Sequence, residues 1–162
     1  MLKLSNLIFT ILIISTFVSC KKESRKEMIN NEVWDNIELI TKNQRITIYK
    51  FEDTASSEKE FYKKISGEGF SATYKLDKVE RKNFKINKSE RDSLYKYVFK
   101  LFTKPKFTDK SATDYAGYIM IKLKDRNTTL MCEYKSVGEW SSISPETEKI
   151  YKLVNAKVEL PK

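Results

Sequence analysis

The chain has 162 residues, with 31 Lys and Arg against 22 Asp and Glu, a formal net charge of +9, and no histidine. The missing histidine excludes Ser-His-Asp and Cys-His catalysis and every His-based metal site. The four glycines form no phosphate-cradling loop, and the length suits one domain with an adequate core.

Residues 1–19 fall into three zones. Lys3 is a positive start, Leu7 to Val18 is a run of apolar residues with Ser and Thr, and Ser19 is small. That order is the order of a secretory signal peptide. A helix needs roughly 20 apolar residues to cross a bilayer, so this shorter run is not expected to be a permanent span, and no later segment is as apolar. Cys20 follows at once, and Phe17-Val18-Ser19-Cys20 resembles the bacterial lipobox, departing from it in having Phe where Leu is usual. The resemblance implies a diacylglycerol thioether on Cys20, cleavage before it, and acylation (palmitate-type) of the new amino group. Two or more acyl chains hold firmly where one binds only reversibly. The competing reading is an ordinary signal peptide that happens to end in Cys. Cleavage before Cys20 would remove one basic residue, Lys3, and no acid, lowering the charge from +9 to +8.

Residues 20–32 open with Lys21-Lys22-Glu23-Ser24-Arg25-Lys26-Glu27, a charged stretch without apolar residues that reads as a flexible tether. Its lysines and acids resemble the export signals of Bacteroidetes lipoproteins. The globular domain is expected over 33–162.

Within it, Ile37-Glu38-Leu39-Ile40 and Arg45-Ile46-Thr47-Ile48-Tyr49 flank a turn-like Lys42-Asn43-Gln44, which predicts a hairpin. Val33, Ile37 and Ile40 also fit a helical spacing. Residues 53–69 are polar with two glycines and read mainly as a connection, with one helical turn around Phe61. Phe70 to Val79 and Phe84-Lys85-Ile86 read as extended. Leu94, Tyr97, Val98 and Leu101 then form one helical stripe, capped by Asn87 or Ser89 with Glu90 placed for a capping box and stopped at Lys104-Pro105.

Tyr115 to Lys124 and Thr128 to Lys135 alternate as a second hairpin around Asp125-Arg126-Asn127, with Asn127 the residue suited to a left-handed conformation. Ser144-Pro145-Glu146 opens a last helix with Ile150, Leu153 and Val154 inward. The order predicts an α+β fold, an antiparallel sheet built from hairpins with two amphipathic helices on one face. This layout resembles small Bacteroidetes envelope lipoproteins of unknown function.

Few residues carry chemistry. If Cys20 is lipidated, Cys132 has no intrachain disulfide partner. Alternation places it with Leu130 and Tyr134, and it reads as a buried, inert thiol rather than a reactive one. Asp109 and Asp114 lack the pattern of a calcium loop, and no metal or cofactor is expected. Trp140, beside Gly138-Glu139 in a loop, is either a recognition anchor or a lid on the core edge. Tyr118, with Ala116 and Met120, lies opposite the Ile stripe, either under a helix or on a partner surface. Trp140, Glu139 and Tyr118 are therefore the candidate partner-binding residues.

The lysines suit an anionic partner, but they are scattered among acids, and a compartment outside the cytoplasm argues against nucleic acid. The expected protein is a non-enzymatic envelope lipoprotein, anchored through Cys20, in the outer membrane, that binds a protein or an envelope component. The alternatives are an inhibitor- or immunity-type lipoprotein and a small enzyme acting on envelope polymers.

Overall fold

The computed structural model describes residues 33–104, 118–135 and 138–161. The expected signal peptide, Cys20, the tether, Asp109, Asp114, Tyr115–Gly117 and Ser136–Val137 lie outside the described residues. Six strands form one antiparallel sheet: β1 (Asn36–Thr41), β2 (Gln44–Tyr49), β3 (Thr54–Ser66), β4 (Thr73–Lys85), β5 (Tyr118–Asp125) and β6 (Thr128–Lys135). Their spatial order is β4-β3-β2-β1-β5-β6. Two helices follow β4 and β6, α1 (Lys88–Thr103) and α2 (Pro145–Asn155). The α+β fold read from the sequence is the fold observed.

The register explains which face became the core. Ile37 pairs with Ile48 and Leu123, and Leu39 pairs with Ile46 and Ile121, so alternate residues of three adjacent strands converge on one face. All six are buried, each worth about 2 kcal/mol in apolar area removed from water. Leu94, Val98 and Leu101 of α1 and Ile150 and Val154 of α2 join the same core. Trp34, Tyr95 and Phe99 stack in series, with centroids 5.6 and 5.7 Å apart.

Local signals set both helix starts. Asn87 caps α1 and closes a capping box with Glu90, whose carboxylate accepts from the Asn87 N–H at 2.9 Å. Ser144 caps α2, where Thr147 takes the reciprocal position and Pro145 sits in the first turn. Arg91, buried at the start of α1, donates to the Ile86 and Glu52 carbonyls and to the Asp53 carboxylate, each at 2.7 Å. It thereby fastens the helix to both the β2–β3 corner and the end of β4.

Three expectations need correction. Residues 54–66 are not a connection with a helical turn but a 13-residue strand, β3. Both of its faces meet solvent beyond residue 61, so no buried stripe marks it in the sequence. Phe70 does not begin a strand; it sits in a single 3-10 turn, Gly69–Ser71, and β4 starts at Thr73. The left-handed residue of the β5–β6 turn is Arg126, with φ 42°, not Asn127; its N–H donates to the Asp35 carboxylate. The helical alternative for Val33, Ile37 and Ile40 gives way to strand β1, because pairing to both β2 and β5 satisfies its backbone on both sides.

Candidate functional site

β3 and β4 are each 13 residues long, about twice the length of β1 and β2. Pairing of β2 with β3 ends at Gln44 and Lys59, and the Glu60 N–H makes one further bond to the Asn43 carbonyl at 2.7 Å. Beyond that, β4 is the only strand beside β3 among the described residues, and Phe61 to Ser66 extends the pair by about 20 Å as a two-stranded arm.

A lone two-stranded hairpin is marginal in water, so the contacts inside the arm matter. At its root, Arg81 pairs with Glu58 at 2.7 Å, which holds the Glu58 carboxyl below its ordinary range. Further out, the Lys78 ammonium lies 4.6 Å from the centroid of the Phe61 ring, with Lys59 at 5.7 Å. The Tyr62 hydroxyl donates to Glu60, which raises the Tyr62 pKa above its ordinary value.

Two register shifts sort the side chains by face. Phe61 pairs with Lys78 but Tyr62 pairs with Leu76, so Asp77 is an extra residue in β4. A bulge of this kind puts two residues opposite one and resets the alternation beyond it. Lys75 and Lys78, three apart, therefore share a face, which an unbroken strand would forbid. On this face, continuous with the core side, stand Lys59, Lys63, Lys75, Lys78 and Lys82 with Phe61 and Glu80. The opposite face carries Tyr62, Lys64, Tyr74, Leu76 and Val79. Lys78 is paired to Glu80, and that bond raises its pKa. Among the described residues, Lys63, Lys64, Lys75 and Lys82 have no carboxylate partner. Lys63 and Lys75 are directly cross-strand.

The tip is a built turn. Gly67 has φ +78°, and a Cβ there would lie 2.2 Å from the Ser71 carbonyl oxygen, so only glycine fits. The Ser71 N–H and hydroxyl both donate to the Glu68 carbonyl, at 3.1 and 2.8 Å, and the Ala72 N–H donates to Gly69. This frame holds Phe70 outward at 114% relative exposure. Of the twelve large apolar residues exposed among the described residues, six lie between Tyr62 and Val79: Tyr62, Ile65, Phe70, Tyr74, Leu76 and Val79. Grouped exposure of this kind marks interaction surfaces, whereas single exposed apolar residues do not.

The residues singled out from sequence are not brought together. Trp140 is 1% exposed; its indole N–H donates to the Pro161 carbonyl at 2.8 Å and its ring meets Tyr151 edge-on, so it is a core lid with no surface to offer a partner. Glu139 is exposed and lines a shallow cleft with Ser142, Ser144, Glu148 and Tyr151. Tyr118 is half-buried on the opposite side of the sheet from the core. Burial and a bond to Glu133 raise its pKa. Cys132 is half-buried, and burial beside it drives the Tyr134 hydroxyl well above its ordinary range.

The carboxylates whose pKa moves, Glu58, Glu90 and Glu148, all move down under Arg or Lys partners. A carboxyl held ionised suits an ion pair, not proton donation. Among the described residues no three His, Cys, Asp or Glu side chains converge as metal ligands, and no helix is long and apolar enough to cross a membrane. The arm presents projecting apolar groups, with Lys64 on the face of Tyr62, Tyr74 and Leu76 and with Lys63 and Lys75 on the opposite face. Sequence reading missed it because the Asp77 bulge, invisible as a spacing rule, groups lysines that look scattered. No protein-family model, curated protein or solved structure matches this chain.

Proposed function

We propose that the chain is an envelope lipoprotein, anchored through a lipid on Cys20, whose globular domain is a binding module that makes contact through the β3–β4 arm. The sequence Phe17-Val18-Ser19-Cys20 behind an apolar run supports the anchor. The observation that carries the binding role is the arm itself. Six exposed apolar side chains and a hydrogen-bonded turn that carries Phe70 lie on the part of β3 and β4 beyond the core residues Ala55 and Phe84. Preorganised tips bind with less ordering cost than flexible loops.

A second reading, an inhibitor- or immunity-type lipoprotein, draws support from the same projecting tip, whose width of two strands suits insertion into an enzyme cleft. The two separate on what Phe70 touches in the envelope.

The anchor is tested by feeding cells a clickable fatty acid and comparing the wild type with Cys20→Ala. Label on the wild-type chain alone is expected. Equal labelling of both chains, or of neither, would remove the lipoprotein reading.

A further inference from the structure

We infer that the occupant of the arm is an anionic lipid surface, with Phe70 entering the head-group layer and the arm lysines beside the lipid phosphates. This rests on the binding role proposed for the arm and deepens it by naming the partner.

Three observations point to lipid. First, the exposed apolar side chains are arranged for depth. Phe70 stands at the tip, with Ile65 close behind it, Tyr74 and Leu76 further back on one strand and Tyr62 on the other. Aromatic and aliphatic side chains at graded height match the interfacial zone of a bilayer.

Second, the charge is complementary. Between Phe61 and Leu76 the arm carries Lys63, Lys64 and Lys75 against one acid, Glu68. Lys63 and Lys75 are directly opposite each other. Like charges at that spacing are destabilising in the free protein, and a row of phosphates between them removes the repulsion. Lysine stems also lie along apolar surface while their ammonium groups reach outward, which lets the same residues flank an inserted ring.

Third, β4 is an edge strand. Bare edges invite pairing with other chains unless lysines or bulges block it. Lys75, Lys78, Lys82 and the Asp77 bulge all sit on this edge. They oppose strand addition by a protein while leaving the tip open to a lipid surface.

Each lysine near an anionic bilayer contributes about a fivefold factor in partitioning, lost when salt shortens the range of the field. Two lysines therefore account for a factor of about 25.

The test uses the chain from residue 20 onward carrying Cys20→Ala and Phe70→Trp, so that neither acyl chains nor the apolar leader hold it to every vesicle alike. Trp34 and Trp140 are buried, so the added emission of the indole placed at position 70 reports the tip. Vesicles of phosphatidylglycerol with phosphatidylethanolamine are compared with vesicles of phosphatidylcholine, each with and without lipids brominated near the head group, at millimolar lipid. The expected result is a blue shift and quenching on the anionic vesicles, at least roughly tenfold weaker partitioning on phosphatidylcholine, and a loss of about 25-fold on adding Lys63→Gln with Lys75→Gln. Emission from Trp34 and Trp140 in the parent chain, unchanged by the lysine substitutions, shows that the fold is intact. A tip indole that stays water-like on anionic vesicles, or shifts equally on phosphatidylcholine, overturns the inference. So does a shift that appears with an acidic protein or with DNA and not with vesicles. The mass of the wild-type chain purified from cells reads lipidation of Cys20 independently of the vesicle assay. Failure of the anchor and failure of the arm are thus seen separately.

Discussion

Lys63 of β3 stands directly across from Lys75 of β4, two ammonium-bearing side chains paired in the outer part of a two-stranded arm. Folding gives no reason for that pairing. Opposite charges at such positions contribute roughly 0.2–1 kcal/mol, and like charges cost a comparable amount. Lys75→Glu is therefore expected to raise stability by about 0.5 kcal/mol, a rise in Tm of about 2 °C at low salt, while weakening binding to phosphatidylglycerol vesicles. Thermal unfolding and vesicle sedimentation on the same samples would check both halves. A variant that loses stability would show that the pair is not a cost.

The tip makes a sharper prediction because its two glycines differ. Gly67 and Gly69 both have positive φ, but a Cβ at 67 would meet the Ser71 carbonyl at 2.2 Å, whereas one at 69 meets nothing within 4 Å. Gly69→Ala carries only the conformational cost, about 1 kcal/mol, while Gly67→Ala must also break the turn. Amide hydrogen exchange over residues 62–76 should accelerate strongly in Gly67→Ala and mildly in Gly69→Ala, with the core amides of β1 and β5 unchanged in both. Equal acceleration in the two variants would contradict the account of the tip.

Arg91 is the structural counterpart of the arm lysines, a cation placed for the fold. Its side chain is 7% exposed while that of its partner Asp53 is 85% exposed, so the ion pair itself lies at the surface and the bonds to the Ile86 and Glu52 carbonyls matter most. Arg91→Leu is expected to cost about 2–3 kcal/mol in urea unfolding, since it orphans carbonyls at the α1 junction. Arg91→Lys should recover part of that loss, because all three bonds leave from one nitrogen, Nη1, and an ammonium also carries three donors, though on a shorter stem. Asp53→Asn should cost under about 1 kcal/mol.

A pH dependence follows from Glu90. Its carboxyl accepts from Lys157 at 2.7 Å and from the Asn87 N–H, and both hold its pKa below the ordinary value of 4.5. A carboxyl whose folded pKa is depressed stabilises the fold above its unfolded pKa and loses that stabilisation as pH falls through the folded value. Glu90→Gln is thus expected to cost about 1 kcal/mol near pH 7. The gap between variant and wild type should close progressively below about pH 4.5. A gap that stays constant down to about pH 2 would show that the charge on Glu90 contributes nothing.

The parts of the fold that were legible in the sequence are those set by neighbours along the chain. Asn87 with Glu90, and Ser144 with Pro145, mark helix starts because a cap acts within about four residues. Ile37, Leu39, Ile46 and Ile48 mark strands because every second residue is apolar and faces the core. The arm carries neither mark. From Tyr62 to Val79 both faces meet solvent, so hydrophobic period has nothing to follow, and the glycines and acids of 53–69 imitate a loop. The lysine face depends on one extra residue, Asp77, whose effect exists only once Phe61 and Tyr62 have found their partners. Trp140 illustrates the converse. Its loop position made it a candidate anchor, but the Pro161 carbonyl, 21 residues later, takes its N–H and Tyr151 of α2 takes its ring.

The most direct measurement replaces Phe70 with a photo-activatable phenylalanine analogue in the full chain and irradiates intact cells. An anchored module whose arm rests on lipid is expected to yield adducts that extract with phospholipid, enriched in anionic head groups and reduced by Lys63→Gln with Lys75→Gln. A discrete protein adduct in place of lipid, unaffected by those lysines, would contradict the account.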